Sequence, residues 1–86
     1  MWDLRYERQA VDAFRKLDRG VQTRIKTYMV GVCGLEDPTV RGKALTGEFS
    51  GHWRYRVGDY RLICRIMRGQ LLVSVVELGR RSSVYD

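Results

Sequence analysis

His52-Trp53-Arg54-Tyr55-Arg56-Val57-Gly58-Asp59-Tyr60-Arg61 is the stretch on which the rest of the chain turns. Gly58-Asp59 has the composition of a two-residue hairpin turn, which pairs Val57 with Tyr60 and sets Arg56 directly opposite Arg61. Arg54, two residues along the same strand, shares their face. Like charges opposed across a sheet are destabilising, so three arginines brought together call for an anion between them. The competing reading is a solvated polar face with splayed guanidinium groups, which is common on half-buried sheets.

Working outward, Arg68-Gly69 reads as a second two-residue turn, pairing Ile66 with Leu71, Cys64 with Val73 and Leu62 with Val75. These six residues, with Trp53, Tyr55 and Val57, form the expected core face. Each fully buried large aliphatic side chain contributes roughly 1.5 to 3 kcal/mol. The same register sends Arg54, Arg56, Arg61, Ile63, Arg65, Leu72, Ser74 and Val76 to the other face, a mixture read as too basic for a second core.

Upstream, Ala10, Phe14 and Leu17 recur at helical steps between Glu7 and Leu17, and Asp18-Arg19-Gly20 interrupts the pattern. Val21, Ile25, Tyr28 and Val32 start it again, with Asp18 or a neighbour placed to cap the second helix. Gly31, Gly34 and Pro38 end helical structure, and Asp37 to Gly51 reads as a loop. Trp2-Asp3-Leu4-Arg5-Tyr6 alternates as a strand does and is expected to join the C-terminal sheet. The expected fold is α+β, in the order β-α-α-β-β-β, with an antiparallel C-terminal sheet packed against a two-helix hairpin. The arginines and lysines spread around the helices are read as solvated and kept out of the site.

With 86 residues, the chain suits one domain over 1–86, since two cores would leave neither enough apolar chain. The net charge of +6 and pI near 9.8 favour an acidic partner: RNA, DNA, an anionic membrane or an acidic protein. No apolar run is long enough for a transmembrane helix and the N-terminus lacks a signal-peptide pattern, so a cytoplasmic protein is expected. Cys33 and Cys64 stand far apart with no second ligand at metal spacing, and are read as buried hydrophobes rather than as a zinc site or disulfide framework. Neither a metal nor another cofactor is expected. His52, without a paired acid or base in sequence, is read as a surface or packing residue.

The last signal is Glu77-Leu78-Gly79-Arg80-Arg81-Ser82-Ser83-Val84-Tyr85-Asp86, in which a strand ending at Gly79 releases two arginines and a tyrosine beside the basic face. Together with Gly42-Lys43-Ala44-Leu45-Thr46-Gly47 and the Trp53 to Leu62 hairpin, this order of motifs resembles the RelE branch of the RelE/ParE toxin superfamily, toxins of type II toxin–antitoxin pairs. The resemblance covers essentially the whole chain. It implies a ribosome-dependent mRNA endoribonuclease (an mRNA interferase) that inhibits translation, and a cognate antitoxin that masks the basic face. It also carries site residues over by position: Arg54 and Arg56 as the basic pair on phosphates, Arg61 on the next strand, and Arg81 and Tyr85 after the last. Arg80 stands where many relatives carry histidine.

That set suits attack of an RNA 2′-hydroxyl on its adjacent phosphate, which needs orientation, proton removal and charge stabilisation but no metal. Arg61 and Arg81 would hold the scissile phosphate bidentately, Arg54 and Arg56 the flanking phosphates. Tyr85 is the candidate general base, its phenol favoured towards ionisation by nearby positive charge. Two other functions share these features: a ParE-like inhibitor of DNA gyrase on the same fold, and a noncatalytic RNA-binding module using Trp53 or Tyr60 for stacking.

Overall fold

A computed structural model describes residues 1–80. Strand β1 (Asp3–Tyr6) leads into helices α1 (Arg8–Arg15) and α2 (Arg19–Cys33), followed by β2 (Lys43–Ala44), β3 (His52–Val57), β4 (Tyr60–Met67) and β5 (Leu72–Arg80). The expected α+β order holds, with the short β2 added inside the stretch read as a loop. That stretch also contains 3-10 turns at Pro38–Arg41 and Gly47–Phe49.

The five strands form one sheet in the order β1-β5-β4-β3-β2, with β1 parallel to β5 and the other neighbours antiparallel. The two helices cover one face. Ala10, Ile25, Met29 and Val32 from the helices pack with Tyr55, Leu62, Cys64, Val73, Val75 and Leu78 from the sheet. Cys33 and Cys64 are both buried free thiols, and burial pushes both up from their ordinary pKa. The same cause raises Tyr6 to about 12.

Local chemistry explains the element ends. Asp18 occupies the N-cap of α2 but makes no side-chain capping bond. Instead Gln22 Nε2 donates to the Phe14 and Leu17 carbonyls at 2.9 and 3.1 Å, satisfying groups left open by the end of α1. Beyond α2, Asp37 accepts from the Thr39 backbone N–H at 3.0 Å and from its hydroxyl at 2.7 Å, and these bonds hold its carboxyl below the usual range.

The Pro38–Arg41 turn is pinned from within, because the hydroxyl of the fully buried Tyr55 donates to the Pro38 carbonyl at 2.7 Å. Gly42 lies against that ring. A Cβ there would sit 2.9 Å from Tyr55 Cζ, and its φ of −102° suits any residue, so the requirement is for space. Gly42→Ala is expected to destabilise the fold by about 1–3 kcal/mol, because the bonded ring cannot retreat. A urea melt checks this, and an unchanged midpoint would show that the ring moves freely.

The second turn differs from expectation. Arg68–Gln70 forms a 3-10 turn closed by Leu71 in the left-handed region, φ 50°, in place of a two-residue Arg68-Gly69 turn. Pairing therefore moves by two residues: Ile66 faces Val73 and Cys64 faces Val75. Leu71, expected in the core, is 53% exposed. A β-bulge then follows, beyond which Ile63 faces Glu77 and Leu62 faces Leu78. The extra residue changes the strand's parity, so Leu78 enters the core and Glu77 joins the opposite face.

Candidate functional site

The first hairpin has the expected register, with Val57 opposite Tyr60, Arg56 opposite Arg61 and Arg54 opposite Ile63. Positive φ in the turn is confined to Gly58, at 59°, which matches a turn with glycine at its first central position. In such a hairpin the pair flanking the turn exchanges backbone hydrogen bonds. Arg56 and Arg61 are therefore the next, closer-spaced kind of pair, with Cα atoms about 4.5 Å apart.

The face away from the helices is organised in rows across the strands. One runs Lys43, Arg54, Ile63, Glu77; the next runs Arg56, Arg61, Gly79; a third joins His52, Arg65, Ser74 and Arg5. Arg54 and Arg61 are only 8% and 6% exposed, whereas Arg56 is open to solvent. A guanidinium stays charged when buried and keeps its planar donors in a fixed fork, so the two enclosed arginines supply directed positive charge. Mobile surface cations would not.

This face also carries a small apolar cluster, contrary to the expectation that it is too basic for one. Ile63 is fully buried and packs with Leu45 and Phe49. Phe49 in turn meets the His52 ring edge-on, with centroids 5.8 Å apart, which gives His52 the packing role expected of it. Leu72 and Ser74, also assigned to this face, are buried. The strand positions of Arg54 and Arg61 are thus backed by packing on both sides of the sheet.

At the end near α1 the charges are paired. Glu7 accepts from the Ser74 hydroxyl at 2.7 Å and lies 3.7 Å from Arg65. Gln9 Nε2 donates to Glu77 Oε2 at 3.2 Å. On the helix side of the hairpin, Arg24 rests on the turn, its Nη2 2.8 Å from where a Cβ of Gly58 would stand. Arg24 and Arg56 line a cavity of about 520 Å³ with Tyr28 and Val57. At the hairpin's other side the Arg80 guanidinium sits 5.6 Å from the centre of the Tyr60 ring.

Of the five site residues named from sequence, Arg54, Arg56 and Arg61 come together on one face, while Arg81 and Tyr85 lie outside the described residues. Three polar residues of this region are missing from the sequence-based site, Arg24 among them because it reads as a solvated helix arginine. Lys43 pairs with Arg54, but a two-residue strand leaves no periodic signal. Glu77 reaches the face only through the bulge, and Arg24 reaches the hairpin only through tertiary packing. Among the described residues, no group of three or more His, Cys, Asp or Glu side chains is placed to hold a metal ion. Among them, too, no helix is long and apolar enough to cross a membrane.

A family model for the ParE toxin of the type II toxin–antitoxin system parDE matches residues 4–85. Among solved structures, the toxin–antitoxin complex RelBE2 from Mycobacterium tuberculosis is similar at 26% identity and TM-score 0.84, over 93% of this chain and 98% of that one. The isolated RelE toxin of E. coli is similar at 23% identity and TM-score 0.77, over 93% and 84% of the two chains. The archaeal RelE–RelB complex from Pyrococcus horikoshii OT3 is similar at 20% identity and TM-score 0.74, over 96% and 98%. No curated protein matches the chain. With a family model spanning nearly its full length and a RelE-type sheet and helix pair beneath the arginine face, the chain belongs to the RelE/ParE superfamily of type II toxin–antitoxin toxins, in its RelE branch.

Proposed function

We propose that this toxin is a ribosome-dependent mRNA endoribonuclease, acting as a single domain over 1–86 and arresting translation in the cytoplasm. The observation that carries the reading is the pairing of exposed Arg56 with buried Arg61, next to buried Arg54, on one face of the sheet. A pentavalent phosphoryl transition state carries more negative charge than the ground-state diester, and cations fixed before substrate arrives stabilise that difference. Arg61 and Arg81 hold the scissile phosphate, Arg54 and Arg56 the phosphates beside it, and Tyr85 is a base for the 2′-hydroxyl. The chemistry calls for no metal. The leaving 5′-oxygen takes its proton from solvent or from the ribosome, because arginine is a poor acid.

A cognate antitoxin is the second partner, as the RelBE2 and RelE–RelB structures of the relatives suggest. An acidic or amphipathic segment that folds on binding would cover the arginine rows and compete with RNA. The family model favours one alternative, a ParE-like toxin that inhibits DNA gyrase on the same fold.

Mapping 5′ ends of messenger RNA in a reconstituted translation system separates the two. The nuclease reading expects cuts within codons that need the ribosome and vanish in Arg81→Ala. Folded, antitoxin-free protein that makes no cuts but blocks supercoiling by gyrase would establish the alternative.

A further inference from the structure

The bulge in β5 has a chemical result. It places a carboxylate, Glu77, in the arginine rows: directly opposite Ile63, which separates it from Arg54, and diagonal to Arg61, whose own partner is Gly79. Diagonal neighbours of this kind lie about 7–8 Å apart, within reach of two long side chains. Gly79, opposite Arg61, contributes no side chain of its own to that row. Bulges are enriched beside active sites because they re-aim a side chain.

Glu7 and Glu77 are not equivalent. Glu7 is engaged by Ser74 and Arg65, in the row away from the arginine pair. Glu77 accepts at one oxygen from Gln9, a neutral donor, and its place in the strand register is diagonal to Arg61. We infer that Glu77 is a proton acceptor for the attacking 2′-hydroxyl, working at pH values where Tyr85 is still protonated. The inference rests on the nuclease reading.

The step balances without a further reactant. The 2′-O–H bond breaks and its proton passes to the Glu77 carboxylate as the 2′-oxygen bonds to phosphorus. The bond from phosphorus to the 5′-oxygen breaks, and that oxygen leaves with a proton from solvent. The products are a 2′,3′-cyclic phosphate and a 5′-hydroxyl, and Glu77 returns its proton to water. The charged groups around Glu77 are Arg61 and Arg65 on β4, Arg54 on β3, Arg5 on β1 and Arg80 on β5. Among the described residues, Glu7 stands before α1, and Lys16 and Asp18 lie beside Gly79.

Glu77→Gln keeps the shape and the contact to Gln9 but removes the acceptor. On programmed ribosomes its single-turnover cleavage is expected to fall about 100-fold at neutral pH, with ribosome binding unchanged. The pH profile tells catalysis from support. Wild type should be nearly level between pH 6 and 8. Glu77→Gln should climb about tenfold per pH unit, because ionised Tyr85 or hydroxide becomes the remaining base. Glu77→Asp should restore part of the level profile. A Glu77→Gln protein with wild-type rate and a level profile overturns the inference while leaving the nuclease reading intact. A loss of rate with the profile still level overturns it too, by showing that Glu77 only supports the fold. Wild type that cuts nothing overturns both together.

Discussion

Replacing Arg61 by alanine is expected to lower the cleavage rate on the ribosome by about 100- to 1000-fold, the scale set by removing one preorganised donor from a developing oxyanion. Arg61 is 6% exposed, sits opposite Arg56 and is flanked along its strand by the buried Leu62 and Ile63, so its guanidinium is delivered to one place. Binding should weaken far less than the rate, since the phosphodiester already carries one charge and the gain comes with the second. Arg61→Lys is the useful comparison: it keeps the charge, loses the planar fork, and should recover only part of the rate. Single-turnover kinetics at saturating toxin separate rate from affinity. Equal losses in both would make Arg61 part of a binding surface, and the transition-state assignment would go.

The second large effect is structural. Ile63→Ala should cost about 2–5 kcal/mol, towards the lower end because among the described residues its cluster is small, Leu45 and Phe49, and both can settle inwards. In a domain of this size that is a fall in melting temperature of at least about 8 °C. Ile63→Val should cost about 0.5–1.5 kcal/mol. A thermal melt measures both. Ile63 also separates Arg54 from Glu77 across the sheet, so activity per folded molecule should fall with the alanine variant. A melt within a degree of wild type would mean that the outer cluster carries no weight.

The first hairpin was legible because its turn and strands agree. Gly58 supplies the one positive φ that the turn needs, and Tyr55 and Val57 alternate with Arg54 and Arg56 so that a slip would bury charge. The helices were legible through their apolar spacing. The second turn was not, because leucine at a left-handed φ leaves no compositional trace and Arg68-Gly69 offers a plausible shorter turn. The bulge was missed: the register read from sequence runs straight through Val75-Val76, since either valine suits the core, and nothing local shows that Val76 is the extra residue that moves Glu77 to the other face. Arg54, Arg56 and Arg61 came from hairpin logic, whereas Lys43 and Arg24 depend on a two-residue strand and on a helix meeting a turn, neither of which has a local signature. Arg81 and Tyr85, named by resemblance, lie outside the described residues.

The strand order also bears on timing. Among the described strands, β1 pairs in the sheet with β5 alone, its Leu4 level with Val73, so the earliest strand made waits for the latest. Chain emerges from a ribosome at about 5–20 residues per second, and long-range pairing cannot begin before both partners exist. Until Leu72–Arg80 is free, the sheet lacks the strand that carries Glu77 and flanks Arg61. Under the proposed nuclease reading, the arginine face stays incomplete while these residues are still being made, and the domain becomes competent once Leu72–Arg80 is free, when an inhibitor already present can meet it.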